Sequence, residues 1–251
     1  MQIMGILNVT PDSFADGGRH NSLAAAVTRG FEMLAEGVDI VDIGGESTRP
    51  GADRVSEPEE LARVIPVIEV LAKFGAVISI DTMRASTARA AIQAGAQIIN
   101  DVSGGLADPD MLATAAELNV PYIAMHWRGQ SKDMNSKAIY NNVVEDVKKE
   151  LEERVSAALK AGISKDNLII DPGIGFAKEA DHNWEIIDNI DVFTALGYRV
   201  LVGASRKRFL GGDTPDAREA ATIALTKRLS TTGIWAVRVH SVKPHKEVVS
   251  V

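Results

Sequence analysis

Short apolar runs alternate with longer segments of helical periodicity along the whole chain. The apolar runs, rich in Ile, Val and Leu, lie at residues 3–8, 38–43, 76–81, 97–101, 120–125, 167–171, 199–203 and 234–239. The helical patterns lie near residues 22–36, 57–73, 84–94, 109–118, 140–162, 179–189 and 216–232. Strands that alternate with helices in this way predict a parallel sheet covered by helices.

Eight strand–helix units in 251 residues favour a closed (β/α)8 barrel, in a single domain of residues 1–251. An open, doubly wound sheet is the alternative, but its usual G-x-G-x-x-G after the first strand is absent. The last strand is followed only by SVKPHKEVVSV, which predicts a shortened C-terminal helix.

Every predicted strand reaches a polar or Gly-flanked group at its carboxyl end. In chain order these groups are Asn8, Asp42, Asp81, Asn100 with Asp101, Met125 with His126, Asp171, the run from Gly203 to Lys207, and Arg238 with His240. A single such residue is explained as a helix cap or an Asx-turn. Because the carboxyl ends of barrel strands form one rim, eight together predict a site for a small polar ligand.

The chemistry of this rim has two parts. Asp81, Asn100 and Asp171 suit a flat heterocycle with N–H donors, since a carboxylate can accept two parallel hydrogen bonds. Lys207, Arg238 and His240 follow strands seven and eight, where barrels often bind phosphate. We therefore expect a nitrogen-rich ring at the acids and an anion at the bases.

Two predicted loops are long, polar and rich in glycine, at residues 8–21 and 45–56. Connections of this length usually bind ligands or close over them, so we expect mobile loops after strands 1 and 2. Phe14 is unusual for a purely solvated loop, and Arg49 could close on an anion.

Composition excludes several classes of protein. The chain has no cysteine, which excludes disulfides and thiolate metal sites. Its net charge of −7 argues against nucleic acid as the main partner. The N-terminus has no signal-peptide pattern, and no apolar run approaches the ~20 residues that span a bilayer. We expect a cytoplasmic protein that has no membrane partner.

Taken together, the motifs resemble those of the dihydropteroate synthase family. The similar segments are GILNVTPDSFADGG, VDIVDIGGESTRPGA, SIDT, IINDVSGG, MHWRG, DPGIGFAK, VGASRKRFLG and VRVHSV. They occur in order over essentially the whole chain. One segment would be weak evidence, but eight in register are specific.

The resemblance implies the joining of p-aminobenzoate to 7,8-dihydropterin-6-ylmethyl diphosphate, with release of pyrophosphate, by a sulfonamide-sensitive and usually dimeric enzyme. It implies that Asp81, Asn100, Asp171 and Lys207 hold the pterin and that Met125, Phe176 and Gly203 line its slot. Arg238 and His240 would bind the diphosphate, Thr48 would contact the pterin diphosphate, and Asn8 would approach Mg²⁺. Phe14, Thr48, Pro50 and Ser205 would frame p-aminobenzoate.

The same resemblance implies that Lys207, Arg238, Asp16 and Arg49 act in catalysis, the last two from closing loops. We expect a dissociative substitution without a covalent enzyme intermediate, because positive charge can spread into the pterin as diphosphate leaves. Two alternatives remain open: a pterin-binding paralogue that is catalytically silent, and a pterin-dependent methyltransferase. Ser241 departs from the family pattern, in which an acid often follows the histidine.

Overall fold

Eight short strands form a closed parallel barrel in sequence order, and β8 pairs with β1. The structure, a computed structural model, describes residues 1–10, 18–47, 54–130 and 134–249, without the side chains of residues 18–22, 134 and 135. The strands are β1 (Gln2–Asn8), β2 (Ile40–Gly44), β3 (Ile78–Asp81), β4 (Ile98–Asp101), β5 (Tyr122–Met125), β6 (Leu168–Asp171), β7 (Arg199–Val202) and β8 (Ala236–Val239). The predicted (β/α)8 barrel is confirmed.

Helices connect successive strands and cover the outside of the barrel. Over the described ranges the α-helices are α1 (Gly18–Ala35), α2 (Glu57–Lys73), α3 (Ala85–Ala94), α4 (Met111–Leu118), α5 (Val143–Lys160), α6 (Ala180–Asp188), α7 (Ile190–Thr194), α8 (Glu219–Leu229) and α9 (Lys243–Val249). After β8, the described residues form the seven-residue helix α9. Among the described helices, none is long and apolar enough to cross a bilayer.

The predicted boundaries differ from the structure at a few places with identifiable causes. Helix α1 begins at Gly18, so the first loop is shorter than predicted, and its residues 11–17 lie outside the described ranges. Strand β2 begins only at Ile40, because the Val38 N–H still bonds the Met33 carbonyl at the end of α1. The predicted helix 179–189 is followed by a separate short α7, since Asn189 has φ −115° and ψ 34°.

Successive side chains of each strand point to opposite faces of the sheet and so form two apolar layers. One large cluster packs between the strands and the helices and includes Val41, Ile80 and Val237. A second cluster fills the inside of the barrel, with one residue from each of seven strands: Met4, Ile40, Ile98, Ile123, Ile169, Leu201 and Ala236. Because successive strand residues point to opposite faces, the residue two positions further along each strand points inward as well.

This parity determines which strand-end residues face the mouth of the barrel. Counting in steps of two from the interior layer reaches Asn8, Asp42, Asn100, Met125, Asp171, Gly203, Arg238 and His240. In β3, Ile78 and Ile80 belong to the outer cluster, so Asp81 also points inward. The eight strands therefore carry one inward ring of mostly polar residues above an apolar plug.

Candidate active site

Arg238 connects the inward carboxylates of strands 2 and 3. Its Nε donates to Asp42 Oδ2 at 2.6 Å, and its Nη2 donates to Asp81 Oδ2 at 2.7 Å. Asn100 Nδ2 donates to the same Asp42 oxygen at 3.1 Å. Acids and bases at the rim are therefore interlocked, rather than separated into two halves.

Burial strongly affects the titration of this group. It raises the pKa of Asp81 to about 7, and although Arg238 opposes that rise, the nearby Asp42 carboxylate adds to it. Burial alone would lower the pKa of Arg238, but the carboxylates of Asp42 and Asp81 raise it above its ordinary value. Arg238 therefore stays charged while Asp81 can change its protonation state near neutral pH.

Asp171 and Lys207 form a second charged part of the rim. Asp171 Oδ1 accepts the Gly173 N–H at 2.7 Å, and burial raises the pKa of this carboxyl. Burial lowers the pKa of Lys207 to about 8, against the opposing charge of Asp171. Gly203 lies beside this group: a Cβ built on it would be 3.8 Å from both Asp171 Oδ2 and Arg238 Cβ.

An apolar surface borders these charges. Met83, Val102 and Met125 form a buried cluster, and the half-buried Phe176 and Trp127 pack against it. The Lys207 ammonium lies 4.4 Å from the centre of the Phe176 ring. An apolar wall beside carboxylate and amide groups suits a flat, polar ring that presents N–H groups at its edge.

Ser205 and His240 are in direct contact on the strand 7–8 side. Ser205 Oγ lies 2.9 Å from His240 Nδ1 and also accepts the His240 backbone N–H at 3.2 Å. Between Ser205 and Lys207, Arg206 has φ +57° and is held by Glu219 at 2.7 Å and by Ser241 Oγ at 2.8 Å. Arg206 therefore has left-handed backbone between Ser205 and Lys207, and its own side chain is turned to Glu219 and Ser241.

Asn8 is half-buried at the end of β1, next to Gly44 in the strand register. Within the described residues, no group of three or more His, Asp or Glu side chains could hold a metal ion. The donor set thus fits a Mg²⁺ ion only if substrate phosphate oxygens supply most of its ligands, which is how Mg²⁺ commonly binds.

The base of the second long loop is closed by ion pairs that the sequence did not indicate. Glu46 is bound by Arg54 and by Arg84, each at 2.9 Å. Arg84 also contacts the buried Glu60 of α2 and the Val55 carbonyl, and Thr82 Oγ1 donates to Glu60 at 2.6 Å. The two described ends of the loop are therefore joined to each other and to α2.

Several predicted residues lie outside the described residues: Phe14, Asp16, Thr48, Arg49 and Pro50. The structure brings the remaining predicted residues to the barrel mouth. Sequence reasoning named Asp42 only as a strand end and missed Met83, Val102, Arg84 and Lys178. Ile40 and Asp42 share one face of β2, so the two-residue period identifies Asp42 as inward once Ile40 is placed in the interior layer.

Asp101 is a strand-end acid that does not face the mouth of the barrel. Ser103 N–H and Tyr122 OH donate to its carboxylate at 2.8 Å each, and the Gly105 N–H donates at 2.7 Å. It points away from the barrel interior, toward the outer cluster to which Tyr122 belongs. Asp101 thus caps its own turn, whereas the neighbouring Asn100 belongs to the site.

Comparison with known proteins assigns a class to this barrel and rim. A family profile described as pterin binding enzyme matches residues 4–240. The dihydropteroate synthase of Mycobacterium leprae is 46% identical over 261 residues, which cover 100% of this chain and 92% of the relative. The match spans every strand of the barrel, so it covers the whole rim.

Solved structures agree with the sequence comparison. Dihydropteroate synthase from Xanthomonas albilineans with 4-aminobenzoic acid has a TM-score of 0.93 and 43% identity, covering 99% of this chain and 90% of that chain. The same enzyme in complex with 7,8-dihydropteroate has a TM-score of 0.90 and 40% identity, covering 99% and 91%. The chain belongs to the dihydropteroate synthase family.

Proposed function

We propose that the chain condenses 7,8-dihydropterin-6-ylmethyl diphosphate with p-aminobenzoate to give 7,8-dihydropteroate and pyrophosphate, as a transferase of folate biosynthesis. One observation carries the proposal: the inward parity of the strands gathers carboxylate, amide and cationic groups into one ring at the mouth of the barrel. The relatives named above are dihydropteroate synthases by name. The complexes with 4-aminobenzoic acid and dihydropteroate indicate the second substrate and the product.

In this proposal Asp81, Asn100 and Asp171 bind the N–H edges of the pterin, together with Lys207. Met125, Phe176 and Gly203 line the slot for the ring. Arg238 and His240 bind the diphosphate, with Asn8 close to Mg²⁺ and Thr48 in contact with the pterin diphosphate. Ser205 frames p-aminobenzoate, together with the residues Phe14, Thr48 and Pro50 of the two long loops.

The carbon that is attacked is the exocyclic methylene group, which joins the diphosphate leaving group to the electron-rich pterin ring. As the diphosphate departs, positive charge spreads into the pterin, and the carboxylates of Asp81 and Asp171 stabilise it. Arg238, Lys207 and His240 stabilise the departing anion, aided by Asp16 and Arg49 from the loops. Bound Mg²⁺ would neutralise part of the diphosphate charge. The arylamine then needs orientation and exclusion of water more than activation, so no covalent enzyme intermediate forms.

The resemblance also bears on the domain organisation, the assembly and the location of the protein. We propose that residues 1–251 form one domain, that the chain acts as a homodimer, and that it works in the cytoplasm. Sedimentation of the purified protein tests the dimer, and a monomer at micromolar concentration would contradict it.

Pyrophosphate release tests the proposed activity. Purified protein is mixed with the pterin diphosphate, p-aminobenzoate and Mg²⁺, and each component is omitted in turn. Lys207→Ala and Arg238→Ala are expected to lower turnover by about 10²-fold or more, as loss of a transition-state donor does. Arg199→Ala is the matched control, because this arginine lies over Trp235 at the opposite end of the barrel. Pterin binding without pyrophosphate release would instead indicate a silent paralogue.

A further inference from the structure

Lys178 makes an unusually complete set of contacts beside the pterin slot. Its ammonium group lies 2.9 Å from His126 Nδ1, 3.0 Å from the Gly173 carbonyl and 3.1 Å from the Phe176 carbonyl. Three acceptors thus surround its Nζ atom, one for each hydrogen of an ammonium group. Burial lowers the pKa of Lys178 well below its usual value, and the Asp171 carboxylate opposes this by favouring the charged form. Lys178 does not belong to the ring of strand-end residues, so the proposed reaction assigns it no contact with substrate.

His126 has only one tautomer that fits its surroundings. Its Nε2 lies 2.9 Å from Glu150 Oε2, so this nitrogen must carry a proton to donate to the carboxylate. Burial lowers the pKa of His126 to about 4, so the ring is neutral near pH 7 and Nδ1 is an acceptor. Glu150 thereby fixes the tautomer of His126 and makes it the acceptor for the third hydrogen of Lys178.

The loop from Gly173 to Lys178 contains three residues with left-handed backbone and is held in part by groups outside it, such as Tyr140 OH, which donates to the Ala177 carbonyl at 2.9 Å. Gly173, Gly175 and Ala177 all have positive φ, at +69°, +78° and +49°. Ala177 is not glycine, and its Cβ makes this left-handed conformation unfavourable. A Cβ on Gly173 would lie 2.5 Å from the His126 carbonyl oxygen, so the loop packs directly against the turn after β5.

Phe176 and Asp171 are the two functional groups at the ends of this loop. Phe176 packs against the apolar cluster that contains Met125, and Asp171 accepts the Gly173 N–H. Lys178 binds the carbonyls of both Gly173 and Phe176, so it fixes the separation of these two residues. A shift of the loop would therefore move one wall and one carboxylate of the slot together.

We propose that Lys178 is a positioning residue: held by the Glu150–His126 pair, it fixes the 173–178 loop so that Phe176 and Asp171 present a preformed slot to the pterin ring. The inference deepens the proposed function and rests on it. Because p-aminobenzoate is assigned to other residues, the effect of losing Lys178 falls on the pterin and not on the second substrate.

The test compares pterin binding with the KM values of the two substrates. Lys178→Met is expected to weaken binding of 6-hydroxymethyl-7,8-dihydropterin, followed by its fluorescence, by about tenfold or more, which corresponds to about 1.4 kcal/mol. The KM for the pterin diphosphate rises with it, while the KM for p-aminobenzoate stays within about twofold. Lys165→Met is the matched control. This lysine lies before the start of β6, near the Tyr198 ring, whereas Lys178 lies after the end of that strand.

A double-mutant cycle tests the role of the histidine. His126→Leu is expected to weaken pterin binding in the same direction, and Lys178→Met with His126→Leu is expected to bind no worse than Lys178→Met alone, because both changes break one chain of contacts. If Lys178→Met does not fold, His126→Leu carries the test by itself, with Lys178 still present.

Two results of the binding measurements would overturn the inference: unchanged pterin affinity in the single variants, or effects that multiply in the double variant. A rise in the KM for p-aminobenzoate equal to that for the pterin would do so as well. Failure of the unaltered chain to bind pterin is a different outcome, because it contradicts the proposed function itself.

Discussion

Asp42 is the residue whose replacement tests the rim most specifically. It is completely buried, and its Oδ2 accepts both Arg238 Nε and Asn100 Nδ2. Its Oδ1 has no hydrogen-bond partner among the described residues. In Asp42→Asn, the amide oxygen can keep both donors only if the NH2 group takes the place of Oδ1, a buried position that makes no hydrogen bond to the described residues.

The magnitude follows from these contacts. A buried amide N–H without a partner costs about 1–3 kcal/mol, and Arg238 loses one of its two paired carboxylates but keeps Asp81. We therefore expect Asp42→Asn to lower the free energy of unfolding by about 2–3 kcal/mol. For a chain of this length that corresponds to a Tm lower by roughly 4–12 °C.

A second effect reports on the site itself. The Asp42 carboxylate is one of the charges that raise the pKa of Asp81. Removing it lowers that pKa, so Asp81 becomes ionised at a lower pH. If pterin binding needs the ionised carboxylate, the acid limb of the binding curve moves to lower pH in Asp42→Asn.

Urea unfolding and the pH dependence of pterin binding measure the two effects separately. Asp39→Asn is the matched control, because Asp39 lies before the start of β2, where it accepts the Ile3 N–H at 2.6 Å and pairs with Lys246 at 2.8 Å. This control should lose stability without moving the acid limb. An Asp42→Asn protein with unchanged stability and an unchanged acid limb would contradict both expectations.

Three further predictions concern other parts of the molecule. The affinity for a neutral pterin should rise with pH as Asp81 ionises at about pH 7, and fall as Lys207 loses its proton at about pH 8. Lys207→Arg should move the alkaline limb to higher pH. Fluorescence titration at a series of pH values measures both limbs. Arg84→Met should lower the free energy of unfolding by about 2–4 kcal/mol, because it leaves the buried Glu60 without its cation. It should also raise the KM for p-aminobenzoate, because Arg84 holds Glu46 at the base of the second long loop. Tyr122→Phe should lower the free energy of unfolding, measured in urea, by about 1–3 kcal/mol, because it removes a buried hydrogen bond to Asp101. Pterin affinity should stay unchanged, because Asp101 faces outward. Weakened pterin binding would contradict the assignment of Asp101 to the outer face.

Much of the architecture could be predicted from local pattern. All eight strands and their order follow from the apolar runs, because a strand buried on both faces needs such a run. The boundaries shifted where a helix end competed for the same backbone groups, as at Val38.

The site was predictable only in part, for a physical reason. Strand-end position identifies Asp81, Asn100 and Asp171 from the sequence alone. The pairing of Arg238 with Asp42 joins residues 196 positions apart, and no local pattern encodes it. The same holds for Lys178 and His126, which are 52 positions apart in sequence and meet only when the loops after β5 and β6 pack together.

The place where the pterin binds can be seen in a crystal structure of the chain with a non-hydrolysable analogue of the pterin diphosphate. We expect the pterin ring to lie against Met125 and Phe176, with its N–H edges on Asp81, Asn100 and Asp171. We expect its diphosphate at Arg238 and His240. A cavity of about 580 Å³ beside the barrel, lined in part by Arg128, Tyr140 and Glu150, offers a different place for a ligand. A pterin bound in that cavity, with the barrel mouth empty, would contradict the account.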